Sequence, residues 1–222
     1  MSTDKNQPDP RYLEPYREAV RTHGPGFEAL LWRSQEYQVK RFEVLTQACR
    51  PKNKVIADLG AGRGDLLEYL QAIDQAPSRY VGVEGISELV EPAQKRFPES
   101  QWVIADFVSD KGLFDRLVRD FGASAVVFSG SLNTLDERTA MVVLDRAWDA
   151  LHRLEGAVLA FNFLSSAGRK RRESTGPANR FHSGNVFKWA QRASGNMLFR
   201  QDYLGPHDAT VAVYATAPEV GR

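Results

Sequence analysis

Three acids and three closely spaced glycines carry the chemistry legible in this sequence. Asp58 is followed by Gly60, Gly62 and Gly64, a glycine at every second position. Glycine is placed where the backbone must take positive φ or let a ligand come close, so a branched side chain at Gly62 is expected to fill the ligand's space. Glu84 and Asp106 each close a short apolar run. A carboxylate only accepts hydrogen bonds. Glu84 therefore suits the two hydroxyls of a ribose, and Asp106 an exocyclic amine such as that of adenine. Phe107 beside it can cover the ring face. Ser129 and Gly130 follow another apolar run and are small enough to leave room for a bulky ligand.

These residues need a scaffold to bring them together. Val55 to Leu59 reads as a buried strand, and Leu66, Leu67, Leu70 and Ile73 beyond the glycines have helical spacing. The alternation then repeats. Strands are expected at Tyr80–Glu84, Trp102–Asp106, Ala125–Phe128 and Ala157–Leu164. The helices between them include one whose start Pro92 obscures, one closed by Gly122, and one opened by a capping box of Thr134 and Glu137. A short helix with Val186, Trp189 and Ala190 precedes two strand-like runs, Met197–Leu204 and Thr210–Thr216, around Gly205-Pro206-His207-Asp208. The pattern implies an α/β fold: a doubly wound, Rossmann-like seven-stranded sheet with a C-terminal antiparallel hairpin. Ligands of such sheets lie beyond the carboxyl ends of the strands, where the strand order reverses. All three acids fall at such ends.

Ahead of the sheet, residues 1–10 are polar and proline-containing and read as a disordered lead. Tyr12, Leu13 and Tyr16 mark a helix stopped by Gly24-Pro25-Gly26, and a second helical stretch runs from about Phe27 to Ala48 with a break near Ser34. The chain thus divides into residues 1–50, a lead and N-terminal helical extension, and residues 51–222, the α/β domain. Trp32, Gln38 and Arg41 form a polar-aromatic face without an evident partner in the sequence. They suggest that the extension reaches over the ligand as a lid, with the Arg41 fork on a carboxylate.

The glycine spacing discriminates among ligands. In a dinucleotide fingerprint the third glycine would fall on Asp65, and the Gly-Lys-Ser/Thr of a phosphate-binding loop is absent. The pattern D-x-G-x-G-x-G instead resembles the first motif of the class I S-adenosylmethionine-dependent methyltransferases. The resemblance covers Val55 to Thr216. It extends to Leu31-Trp32-Arg33-Ser34, Asn162–Ser166 and Asp202-Tyr203-Leu204, which are similar to segments of some stand-alone bacterial members of undefined substrate. It departs from the family at Ala61, where a cysteine is frequent, and at Glu84, where aspartate is commoner. The resemblance implies S-adenosylmethionine as cofactor, held by Asp58, Gly60, Ala61, Gly62, Glu84, Gly85, Ile86, Asp106, Phe107 and Ser129 under Trp32, Gln38 and Arg41. It also implies a methyltransferase activity.

For catalysis, Asn133 stands just past the fourth strand, where it could orient a nucleophile, and His182 and His207 lie in late loops as candidate bases. The loop from Ser165 to His182 carries Arg169-Lys170-Arg171-Arg172 and is expected to close over a small anionic acceptor. The histidines have no metal-ligand spacing, and no metal is expected. Of 222 residues, 42% are apolar and 26% charged; 29 Lys and Arg against 28 Asp and Glu leave a net charge of +1. That balance offers nothing to draw in nucleic acid or an anionic membrane, and the sequence names no oligomeric state. The Asn-Pro-Pro-Tyr signature of amino-group nucleic-acid methylation is replaced by Ser131-Leu132-Asn133-Thr134. A small-molecule acceptor is favoured over a nucleic acid or protein, and a cofactor-binding subunit without turnover is the alternative from another class. One cysteine and no apolar run of membrane-spanning length make the cytoplasm the expected compartment.

Overall fold

The computed structural model describes residues 10–167 and 176–216. The basic run 169–172 lies outside them, as does most of the polar lead. At the centre is a seven-stranded sheet in the order β3-β2-β1-β4-β5-β7-β6. The strands are β1 (Val55–Leu59), β2 (Arg79–Glu84), β3 (Gln101–Ile104), β4 (Ala125–Phe128), β5 (Val158–Leu164), β6 (Met197–Arg200) and β7 (Asp208–Tyr214). β1 to β5 pair in parallel, and β7 runs antiparallel to both β5 and β6. The expected doubly wound sheet with its closing hairpin is present.

The apolar runs are continuous because the central strands are covered on both faces. On one face Leu59, Val83, Phe128 and Phe161 pack under α5 (Leu113–Arg119), α6 (Glu137–Leu151) and α7 (Ser183–Ala193). On the other, Ile56, Tyr80, Val127 and Ala160 meet α2 (Gln35–Cys49) and α3 (Asp65–Ala72). α2 is thus part of the sheet's helical layer, through Phe42, Leu45, Ala48 and Cys49. α1 (Glu14–His23) and the flanking 3₁₀ turn Phe27–Leu30 instead form a small cluster of their own, where Ala19 and Ala29 sit on Ile86 and Leu89.

Several local expectations shift. The cap of α6 is Asp136, which accepts from Thr139 N at 2.9 Å, so the Thr134–Glu137 box does not form. Glu137 instead accepts from His182 N and Asn185 Nδ2, both at 2.7 Å, and ties α6 to the start of α7. Pro92 lies inside α4 (Ser87–Arg96); the bond it removes falls on the carbonyl of exposed Glu88, which water can satisfy. β3 stops at Ile104, leaving Asp106 in the turn beyond, and the hairpin loop spans 201–207. Among the described residues no helix is long and apolar enough to cross a membrane.

Candidate active site

β1 lies between β2 and β4, so the chain leaves it in opposite directions, and a cleft of about 700 Å³ opens over the strand ends there. The glycine turn forms its floor. Gly60 N and Ala61 N donate to Val83 O at 2.8 and 3.0 Å, Gly62 N to Glu84 Oε2 at 2.8 Å, and Gly64 N to Ala61 O at 2.9 Å. These amides are therefore committed to β2 and to the turn itself, and these four form no nest for a pyrophosphate.

Gly62 has φ +55°, and a Cβ there would stand 2.7 Å from Leu30 Cδ2. Besides filling space meant for a ligand, a branched residue at 62 would press on the Leu30 side chain of the Phe27–Leu30 turn that covers the site. Gly62→Val is expected to expose the N-terminal segment, so that trypsin cuts at Arg21 or Arg33 faster than in the wild type. Equal cleavage rates would show that Leu30 does not rest on the turn.

The floor is acidic. Glu84 Oε1 accepts from Ile86 N at 2.9 Å, so this carboxylate clamps two loops together through Gly62 and Ile86. Burial raises its pKa, and the amides of Ile86, Gly62 and Gly85 oppose the rise. Asp58 is buried at the end of β1 and accepts from the Tyr80 hydroxyl at 2.5 Å, while its Oδ1 has no partner. Burial pushes the Asp58 carboxyl up to about 7; the Tyr80 bond works against this, and the charges of Glu84 and Asp65 add to it. Asp65 accepts from Arg96 at 2.8 Å, Arg63 at 3.1 Å and Gln38 Nε2 at 3.2 Å. Burial alone would raise its pKa, but Arg96, Arg63 and Gln38 together hold it low. In the sequence Asp65 serves only to reject the dinucleotide fingerprint; its place in the site comes from the fold.

The N-terminal segments roof the cleft. Trp32 lies over Gly130 (φ +75°), where a Cβ would come within 2.8 Å of the indole. The Arg41 guanidinium stands 4.9 Å from the Trp32 ring. Arg41 is not unpartnered: its Nε donates to Asp208 Oδ1 at 2.5 Å, and its Nη2 bonds to the same oxygen. Tyr12 donates to Asp106 Oδ2 at 2.5 Å. Tyr16, one turn later, lines the cleft, and burial pushes its hydroxyl up to about 12; the Glu84 charge adds to this and Thr134 opposes it. The tyrosines and Asp208 were missed as site residues. The signal for the tyrosines is their spacing of four, with Tyr12 in the 3₁₀ turn Pro10–Leu13 and Tyr16 in the first turn of α1.

At the β4 and β5 ends, Ser129, Asn133 and His207 line the cleft, as do Gly85 and Phe107 on the β2–β3 side. The Asn133 side-chain oxygen accepts from Leu164 N at 3.1 Å, and His207 Nδ1 faces Ala167 O at 3.1 Å. Two candidates are not brought here. His182 is exposed at the start of α7, held by its backbone to Glu137. The Ile86 side chain packs beneath α1, and only its amide serves the site.

No protein-family model and no curated protein matches the chain. Solved structures do. Phosphoethanolamine N-methyltransferase 1 of Haemonchus contortus, in complex with phosphoethanolamine and S-adenosylhomocysteine, aligns over 100% of this chain and 53% of its own at TM-score 0.61 and 14% identity. The present chain thus spans about half of that enzyme. DhpI in complex with SAH aligns over 94% of this chain and 96% of its own at TM-score 0.60 and 12% identity. This is the fold of S-adenosylmethionine-dependent methyltransferases. Streptomyces venezuelae DesVI also aligns, over 82% of this chain and 94% of its own, at TM-score 0.57 and 16% identity.

Proposed function

We propose that the chain is an S-adenosylmethionine-dependent methyltransferase acting on a small molecule. One observation carries the reading: the cleft floor buries Asp58, Asp65 and Glu84 while the amides of Gly60, Ala61, Gly62 and Gly64 are already engaged. An anionic pyrophosphate would meet carboxylates there, and those four amides would offer it no donor. A cation would meet attraction, and the cofactor brings two, a sulfonium and an ammonium.

The residues present fit that cofactor. Glu84 keeps accepting capacity beyond its two amides for the ribose hydroxyls, since a carboxylate takes about four donors. Asp106 and Phe107 suit the adenine. The unpartnered Asp58 Oδ1 suits the ammonium. Arg41 commits Nε and Nη2 to Asp208, which leaves Nη1 for the cofactor's carboxylate. When bound, the cofactor supplies a methyl group on a positively charged sulfur. The protein's remaining task is alignment, which can contribute about 7–11 kcal/mol to such a barrier. Trp32 over Gly130 keeps water from the β4 end, and the Asn133 amide can orient a nucleophile. His207 Nδ1 must carry the proton to donate to Ala167 O, so Nε2 is left to accept one. Whether the 169–172 run closes over an anionic acceptor concerns residues outside those described.

Calorimetric titration with S-adenosylhomocysteine should give micromolar binding, about −8 kcal/mol. Cell extract incubated with methyl-labelled cofactor should then carry label in its small-molecule fraction. No binding would end the reading, label on macromolecules would move the acceptor class, and binding without label would leave a cofactor-binding subunit.

A further inference from the structure

The N-terminal extension reaches the corner of the cleft assigned to the base, and does so with a hydrogen bond. Tyr12 OH lies 2.5 Å from Asp106 Oδ2, and Ser109 Oγ donates to the same oxygen at 2.7 Å. Val108 N donates to Oδ1 at 2.9 Å. Three donors therefore hold this carboxylate, which can take about four. The remaining lone pair is on Oδ1. Leu13, the next residue, rests against Gly85, where a Cβ would meet its methyl carbons at 3.6 Å. Tyr12 and Leu13 thus wrap the slot between the β2 and β3 ends.

We propose that Tyr12 is a positioning residue that makes the cofactor site selective for a 6-amino purine, acting through Asp106. The inference rests on the cofactor reading above. With Oδ2 held by two hydroxyls, Asp106 cannot rotate away from the ring edge. Its one open lone pair accepts from the exocyclic amine of adenine. A 6-oxo purine presents an oxygen at that point, and a fixed carboxylate repels it. Once Tyr12 is lost, Asp106 is held on Oδ2 only by exposed Ser109 and can swing toward water, which relaxes both the attraction and the repulsion. A purely structural tyrosine would affect both bases alike.

The test is calorimetry of Tyr12→Phe and wild type with two probes, S-adenosylhomocysteine and S-inosylhomocysteine, with circular dichroism melting of each protein. Wild type should prefer the adenosyl compound. In Tyr12→Phe its affinity should fall about tenfold, as for loss of a charge-assisted bond, with the inosyl compound held within about twofold. An equal loss for both probes, or no loss for either, would overturn the inference and leave the methyltransferase reading in place. A wild type that bound neither probe would overturn both. If Tyr12→Phe melts early, Ser109→Ala decides instead. It removes the other hydroxyl from the same oxygen, so it must narrow the preference for adenosyl over inosyl; an unchanged preference refutes the mechanism.

Discussion

Glu84→Ala is expected to lower the melting temperature of the ligand-free protein as well as weaken cofactor binding. The carboxylate is the acceptor for Gly62 N and Ile86 N, both in buried surroundings. A buried donor left without its partner costs about 1–3 kcal/mol, so two cost about 2–6 kcal/mol. For a chain of this size that is a fall of roughly 5–20 °C. Ligand binding would lose the ribose contact on top, about 1.5–3 kcal/mol for hydrogen bonds to a charged group. Thermal melts without ligand separate these effects. If the variant melts with the wild type yet binds cofactor more weakly, Glu84 is a ligand contact only, and the clamp between the β1 and β2 loops carries no energy.

The proposed double duty of Glu84 is half legible in the sequence. The ends of parallel strands can be read from apolar runs, so Glu84 and Asp106 could be placed beside the glycine turn before any fold was known. What Glu84 does to the backbone of two loops depends on their exact path, which spacing does not encode. The same limit applies to long-range partners. Tyr12 and Asp106 are 94 positions apart, and Arg41 and Asp208 are 167 apart; only the packing of the N-terminal segment against the β3 end and the placing of β7 in the sheet join them. Arg41 therefore looked unpartnered, and Asp208 looked like a turn residue. α2 looked like an extension because it precedes the first strand, although its Phe42 and Leu45 supply core to the sheet. The α6 cap was misplaced for a local reason: Asp136 and Thr134 both offer a capping oxygen, and the backbone turns helical only after Asp136.

The second large effect is a dependence on pH that ligand should reverse. Burial raises the Asp58 carboxyl from 3.8 to about 7. Below about pH 4 the group is protonated in both the folded and the unfolded chain. Between about 4 and 7 the unfolded chain ionises while the buried carboxyl keeps its proton, so the folded state loses ground as pH rises. The shift of about three pKa units corresponds to some 4 kcal/mol, in full above about pH 7. A cation next to the unpartnered Oδ1 favours the ionised form. Cofactor binding should therefore release a proton below pH 7, and affinity should climb up to about tenfold per pH unit before levelling off above 7. Asp58→Asn still presents an oxygen to the Tyr80 hydroxyl but cannot ionise. It should be more stable than wild type at pH 8 without ligand, bind S-adenosylhomocysteine more weakly, and show no climb. Calorimetry at pH 6 in two buffers of different ionisation enthalpy measures the released proton directly. Equal heats in both buffers, or wild-type affinity that stays flat from about pH 5.5 to 8, would place the cofactor's ammonium away from Asp58.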